Sequence, residues 1–160
     1  VFVWFVVMSL VLVAHVFDSP GLDYRLVVLG AVLPVGEGIL GGPWLLHTLL
    51  FCAAVLFGVM VVARGKRLVQ RRWLGVPIGL FAHLVLDGTW ARTKVFWWPF
   101  AGSDALGGSS VPEFGRWPGG LAFELVGLLV GLWAWRRYGL SDPSRRDALV
   151  RDGRLTGVRG

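Results

Sequence analysis

The sequence predicts an all-α, integral membrane bundle of about four transmembrane helices plus one broken or re-entrant segment. Three observations predict it. Of 160 residues, 55% are hydrophobic and only 16% charged, whereas an ordinary soluble domain carries about 25% charged residues. The charges are segregated, which leaves long stretches almost free of them. Twelve of the sixteen Lys and Arg fall in two groups, five in Arg64–Arg72 and seven after Trp135, beside apolar runs, where basic residues fix orientation.

A helix rises 1.5 Å per residue, so about 20 residues cross a hydrocarbon core of about 30 Å. Val1–Phe17 is a marginal span. It has no basic n-region and no small-x-small cleavage site before Asp18, which favours an uncleaved span over a signal peptide. Leu26–Leu40 is apolar but interrupted by Pro34, Gly36 and Gly38, residues that remove a donor or loosen a helix. It reads as a short or re-entrant element buried against protein. Pro43–Ala63 is long enough to span. Trp73–Leu86 is short unless it continues to Trp90, and Trp117–Trp135 is again long enough. The spans near 1–17, 43–63, 73–90 and 117–135 form one domain over residues 1–140, and residues 141–160 form a basic tail, loosely ordered or a short surface helix.

With four spans, Arg64–Arg72 and the tail are cytoplasmic, both termini lie inside, and the chain is a multi-pass protein of the inner membrane. Residues 18–42 and 87–116 then lie outside, carrying four basic and six acidic residues. Phe96–Phe100 would form an aromatic belt at the outer surface. Nucleic-acid binding is excluded despite the +6 net charge, because the basic groups flank apolar runs and lack the interleaved aromatics of a single-strand binding surface. Membrane lipid is the expected partner, and the tail is placed to touch anionic headgroups. Cys52 is the only cysteine and reads as a small buried hydrophobe.

The ionisable residues are few, and this topology brings most of them to one face. His15 and Asp18 close the first span, His47 opens the second, and His83 and Asp87 close the third, with Glu37 in the broken segment nearby. Gly75, Gly79, His83 and Asp87 recur every four residues. Small residues at that spacing let helices approach closely, so the row points His83 and Asp87 into the bundle. Gly120, Glu124, Gly127 and Gly131 repeat the device and turn Glu124 inward. An imidazole and a carboxylate on one face of a membrane helix bind a metal, relay a proton or satisfy each other. The residues alone leave these alternatives open.

Leu33-Pro34, His47-Thr48-Leu49, His83-Leu84-Val85-Leu86-Asp87 and Trp98-Pro99-Phe100 together resemble the LexA-binding, inner-membrane-associated metal-dependent hydrolases. That family shows L-P-D, H-[ST]-L, H-x-x-x-D and aromatic-Pro segments in this order, and is grouped with zinc-dependent phospholipase C. The resemblance covers roughly residues 15–100. The family's L-P-D acid falls at Val35 here, and Glu37, two residues on, offers a substitute carboxylate. The resemblance implies a divalent metal, zinc foremost, with manganese or iron as alternatives, bound by His47, His83 and Asp87. Glu37 or Asp18 would complete the shell or act as base. Arg92 and Lys94, just beyond Asp87, would hold a phosphate. The substrate would be a phosphodiester or lipid-linked small molecule at the outer face. Two other readings compete. In one, the His and Asp residues form a structural hydrogen-bond network in a non-catalytic membrane protein. In the other, they line a metal or proton path, although the inner halves of the spans offer no matching polar residues except Glu124.

Overall fold

The computed structural model describes residues 1–39, 44–91, 93–102 and 118–155, and these form helices and turns with no strand among them. The apolar run at the start of the chain forms α1, Phe2–Phe17, which ends at Asp18 in the left-handed region (φ 41°), its N–H returned to the Ala14 carbonyl. This is a C-terminal cap of the kind more often made by Gly. A short turn leads to α2, Tyr24–Ile39, with Pro34 inside it. Thr48 caps α3, Leu49–Val62, by accepting the Phe51 N–H at 3.1 Å. The basic α4, Arg67–Trp73, leads into α5, Gly75–Asp87, which stops at Gly88 with φ 73°. A single turn, Thr93–Phe96, follows. The long α6 is Gly119–Arg137, and the tail opens with α7, Pro143–Asp147, capped by Asp142.

Glycines set how these helices pack. Along α5, a Cβ on Gly75 would stand 2.7 Å from the Asp23 carbonyl oxygen, and one on Gly79 would collide with the Val27 carbonyl. From the other side, a Cβ on Gly30 would collide with the Val76 carbonyl. Steps of four along α5 thus match steps of four along α2 in the same direction, so the two helices run parallel with backbones touching. α6 packs on α1 in the same manner, also parallel. A Cβ on Gly127 would lie 2.9 Å from the Trp4 backbone, and Gly131 faces Val7. Both glycine rows therefore face into the bundle, the direction their spacing predicts.

The contacts give the bundle two distinct ends. The histidine end holds the start of α1, the C-termini of α2 and α5, and the starts of α3 and α6. The arginine end holds the C-termini of α1, α3 and α6, the starts of α2 and α5, and α4 with the tail. This differs from the expected topology at one element. Residues 26–40 were expected to be broken or re-entrant, yet Tyr24–Ile39 is one helix that travels the length of α5. Pro34 is fully buried within it, and a helix packed against neighbours tolerates an internal Pro. Because α2 carries the chain back, Val1 and the tail lie at opposite ends, so the expectation that both termini share one side does not carry over to this arrangement. Among the described residues, α6 is the one helix long and apolar enough to cross a membrane by length and composition. α1 and α3 are apolar but shorter, at 16 and 14 residues.

The tail is more ordered than the sequence suggested. After α7 it makes a wide turn over Ala148–Asp152 and docks against the start of α2. The Tyr24 N–H donates to the Gly153 carbonyl at 2.9 Å, and Leu155 is buried. Gly153 has φ 70°, and a Cβ there would collide with the Asp23 carboxylate. Asp23 is itself buried and accepts from Arg25 Nη2 at 2.8 Å and from Arg72 Nε at 2.9 Å. Burial alone would raise its pKa, but the hydrogen bonds from Arg25 and Arg72 outweigh it and hold the carboxyl below its ordinary value of 3.8.

Two outcomes follow. Gly79→Ala forces α2 and α5 apart and destabilises the protein by about 1–3 kcal/mol or more. Gly58→Ala, where a Cβ meets nothing within 4 Å, is neutral or slightly stabilising, and thermal unfolding in detergent separates the two. The second concerns acid. Since the folded pKa of Asp23 lies below the unfolded one, its contribution is complete above the ordinary 3.8 and fades as pH falls from there through the lowered value. Asp23→Asn should therefore flatten this part of the acid-unfolding profile while lowering stability at neutral pH.

A buried histidine and acid cluster as candidate functional site

Two short stretches of chain bring the site together. As α2 ends, the chain turns back through the 3-10 turn Leu45–His47 into α3. Glu37 holds that return. Its Oε2 accepts the Trp44 N–H at 2.9 Å, and its Oε1 accepts the Leu46 N–H at 2.8 Å. The same Oε2 lies 2.8 Å from His47 Nδ1. A carboxylate already accepting two amides is an acceptor for the imidazole too, so His47 Nδ1 donates. The second stretch is the C-terminal half of α5. There His83 Nδ1 donates to the Ala31 carbonyl on α2 at 2.7 Å. The two imidazoles meet edge to face with centroids 5.3 Å apart, and Phe5 of α1 stacks on His83 at 4.1 Å.

Asp87 stands one turn beyond His83, and its Oδ2 accepts from Thr89 Oγ1 at 2.6 Å. His47, His83 and Asp87 are at most 1% exposed, and Glu37 is 7% exposed. Such groups are costly to bury unless hydrogen-bonded. The hydrogen bonds above provide that compensation, and they also fix both rings. With Nδ1 carrying the hydrogen in each, the lone pair of a neutral ring falls on Nε2.

The structure thus brings together Glu37, His47, His83 and Asp87, four of the residues singled out from the sequence. It does not bring in His15 and Asp18. Both are exposed at the arginine end, because α2 returns the chain across the bundle before Glu37 is reached. The expected use of Asp18 as base or ligand at this site is therefore corrected. Lys94 is exposed just past the site, and Arg92 lies outside the described residues. Glu124 faces α1 and accepts the Trp4 N–H at 3.3 Å.

Three contributors were not singled out. Thr48 and Thr89 flank the ligand-type residues, and Thr48 sits immediately before an apolar run, the usual signal of a helix cap. Phe5 came from an unmarked apolar run and left no signal. A metal shell is a stricter arrangement than a polar cluster. Among the described residues, no group of three or more His, Cys, Asp or Glu side chains is disposed to hold a metal ion. A protein zinc site needs at least three such donors, so the described residues fall short of the divalent metal that the resemblance implies.

Comparisons with protein-family models, with curated proteins and with solved structures find no match to this chain.

The role of Glu37 can be checked directly. Glu37→Ala strips the acceptor from two amides and one imidazole in a buried site and should cost about 3–5 kcal/mol. Glu37→Gln, which keeps one acceptor oxygen, should cost less. Chemical unfolding in detergent measures both.

Proposed function

We propose that the chain is a multi-pass protein of the inner membrane and a hydrolase of phosphodiester or lipid-linked substrates, with its polar site at the histidine end. The observation that carries the proposal is the pair of adjoining imidazoles whose Nδ1 atoms are both engaged, one by Glu37 and one by the Ala31 carbonyl. An imidazole so oriented presents Nε2 as a base or as a ligand, and a carboxylate behind it strengthens that basicity. In this reading Glu37 acts through His47. It orients the ring and stabilises the imidazolium formed when Nε2 takes a proton from water. His83 adjoins the His47 ring, and Asp87 follows His83 by one turn along α5. Lys94 lies nearby in sequence to meet an anionic substrate. The cofactor proposed for this site is a divalent metal, zinc foremost, and the described donors do not by themselves complete its shell.

Membrane embedding is supported by the surface of the bundle. Phe57, Val62, Leu125, Leu129 and Leu132 on α3 and α6 are between 61% and 86% exposed, more apolar surface than a water-facing bundle carries. Both basic groups, Arg64–Arg72 and, among the described residues, Arg136–Arg154, lie at the arginine end, which the positive-inside rule puts in the cytoplasm. The histidine end then faces outward, with five helical passes instead of four.

A specific observation favours a second reading, in which the cluster is a packing device. All of the acceptor geometry described for Glu37 closes the 37–48 return, as a structural clamp would. One experiment separates the two. Purified protein in detergent is assayed for bound zinc and manganese and for phosphodiester hydrolysis, beside His47→Ala and His83→Ala, with melting temperature read in parallel. The hydrolase reading expects activity in the parent and a loss of about 10²-fold or more in each variant beyond any change in stability. A parent without activity or metal, and variants that only melt earlier, would establish the packing role.

A further inference from the structure

At the arginine end, the turn before α2, the outer face of α4 and the docked tail enclose a cleft of about 590 Å³. Four guanidinium groups border it, those of Arg71, Arg72, Arg151 and Arg154, against two carboxylates, Asp23 and Asp152. Asp23 is already committed, since Arg25 and Arg72 both bind it. Arg71, Arg151 and Arg154 are exposed and make no ion pair among the described residues.

Their placement is imposed by the fold. Gly153 and Leu155 are buried on either side of Arg154, which turns that side chain outward into the cleft. The carbonyl of Arg151 accepts from Arg25, which pins the backbone of the tail there. Across the cleft, Arg71 lies over the turn at Gly21, its Nη1 3.5 Å from where a Cβ would stand. Like charges brought together from two chain segments, α4 and the tail, repel across the cleft, and an anion relieves that repulsion. Guanidinium groups match a phosphate in both geometry and charge.

We propose that this cleft binds a phosphate group, carried by the headgroup of an anionic lipid or by a free phosphate. The site lies at the opposite end of the bundle from the histidine cluster and does not depend on the hydrolase reading. A lipid source fits its position, at the end that carries both basic groups, where each Arg or Lys near an anionic surface contributes about 1 kcal/mol.

Two arms test it. Calorimetric titration of the detergent-purified protein with inorganic phosphate reads the free ion. Native mass spectrometry of protein released from mixed phosphatidylcholine and phosphatidylglycerol nanodiscs reads the lipid. The parent should bind phosphate, retain phosphatidylglycerol over phosphatidylcholine, or do both, and the responding arm identifies the source. Removing two arginines, Arg71→Gln with Arg154→Gln, should weaken that binding about 25-fold. Arg151→Gln alone, at a separate position, should weaken it about fivefold. A charge-matched control at the same end but outside the cleft, Arg64→Gln with Arg67→Gln, should leave phosphate binding within about twofold and weaken phosphatidylglycerol retention several-fold less than the cleft pair does. Absence of binding in both arms, or an equal loss in the control, overturns the proposal.

Discussion

The backbone-to-backbone contact of α2 and α5 is the constraint on which the rest of the structure depends. Gly30, Gly75 and Gly79 let the two helices touch where any Cβ would meet a carbonyl. At that separation the Ala31 carbonyl is within reach of His83, and the hydrogen bond between them needs no long side chain on α2. The contact also rules out sliding. A shift by one residue would bring a side chain into a space that admits only hydrogen, so the register of the pair is fixed by steric exclusion as much as by attraction.

That register decides what each end can hold. At the histidine end, two helix C-termini meet three helix N-termini. C-termini favour imidazole and N-termini favour carboxylate, through the partial charges of their unsatisfied backbone groups. Both residue types are present, and the carboxylate pairings follow the dipoles. Glu37 takes two amides from the return into α3, and Glu124 in α6 takes one from the start of α1. His83, one turn before the end of α5, gives its Nδ1–H to the mid-helix Ala31 carbonyl of α2. A hydrogen-bond chain of this kind in a low-dielectric interior is rigid because every broken link leaves a buried polar atom exposed to its full desolvation cost.

Much of this arrangement was legible in the sequence. The four-residue rows on α5 and α6 named the contact faces, because glycine at helical spacing has few uses other than close approach. His47, His83 and Asp87 each stand at the edge of an apolar run and Glu37 interrupts one, positions where a polar residue is rarely accidental, and the fold places Glu37 on His47 and His47 beside His83. What misled was Pro34. In isolation a proline with two glycines behind it weakens a helix, and propensity carries no information about a neighbour that stabilises it from outside. Burial of Pro34 against the bundle supplies that support. One helix misread as a broken segment inverts the side on which everything before it lies, and that is why His15 and Asp18 were drawn to the wrong end. Phe5 was hidden for a different reason: α1 is apolar on every face, and a uniform face gives no periodic signal to say which residue will stack on an imidazole.

The two ends of the bundle are built on opposite principles, and α2 joins them. At the histidine end, charge and polarity are folded inward, each group met by another. At the arginine end, one carboxylate, Asp23, is consumed as an anchor for Arg25, Arg72 and the tail, and the remaining guanidinium groups are turned outward. Asp23 adjoins the first residue of α2 and Glu37 lies near its last turn. A single helix thus carries the anchor of each end, and its partner α5 carries the matching residues, Gly75 beneath Asp23 and His83 beside Ala31. Because the glycine contact forbids sliding, the distance between the two polar centres is set by helix length alone. The 37–48 return and the tail, which complete the two sites, are each fastened to that fixed helix pair, one through Glu37 and the other through Asp23.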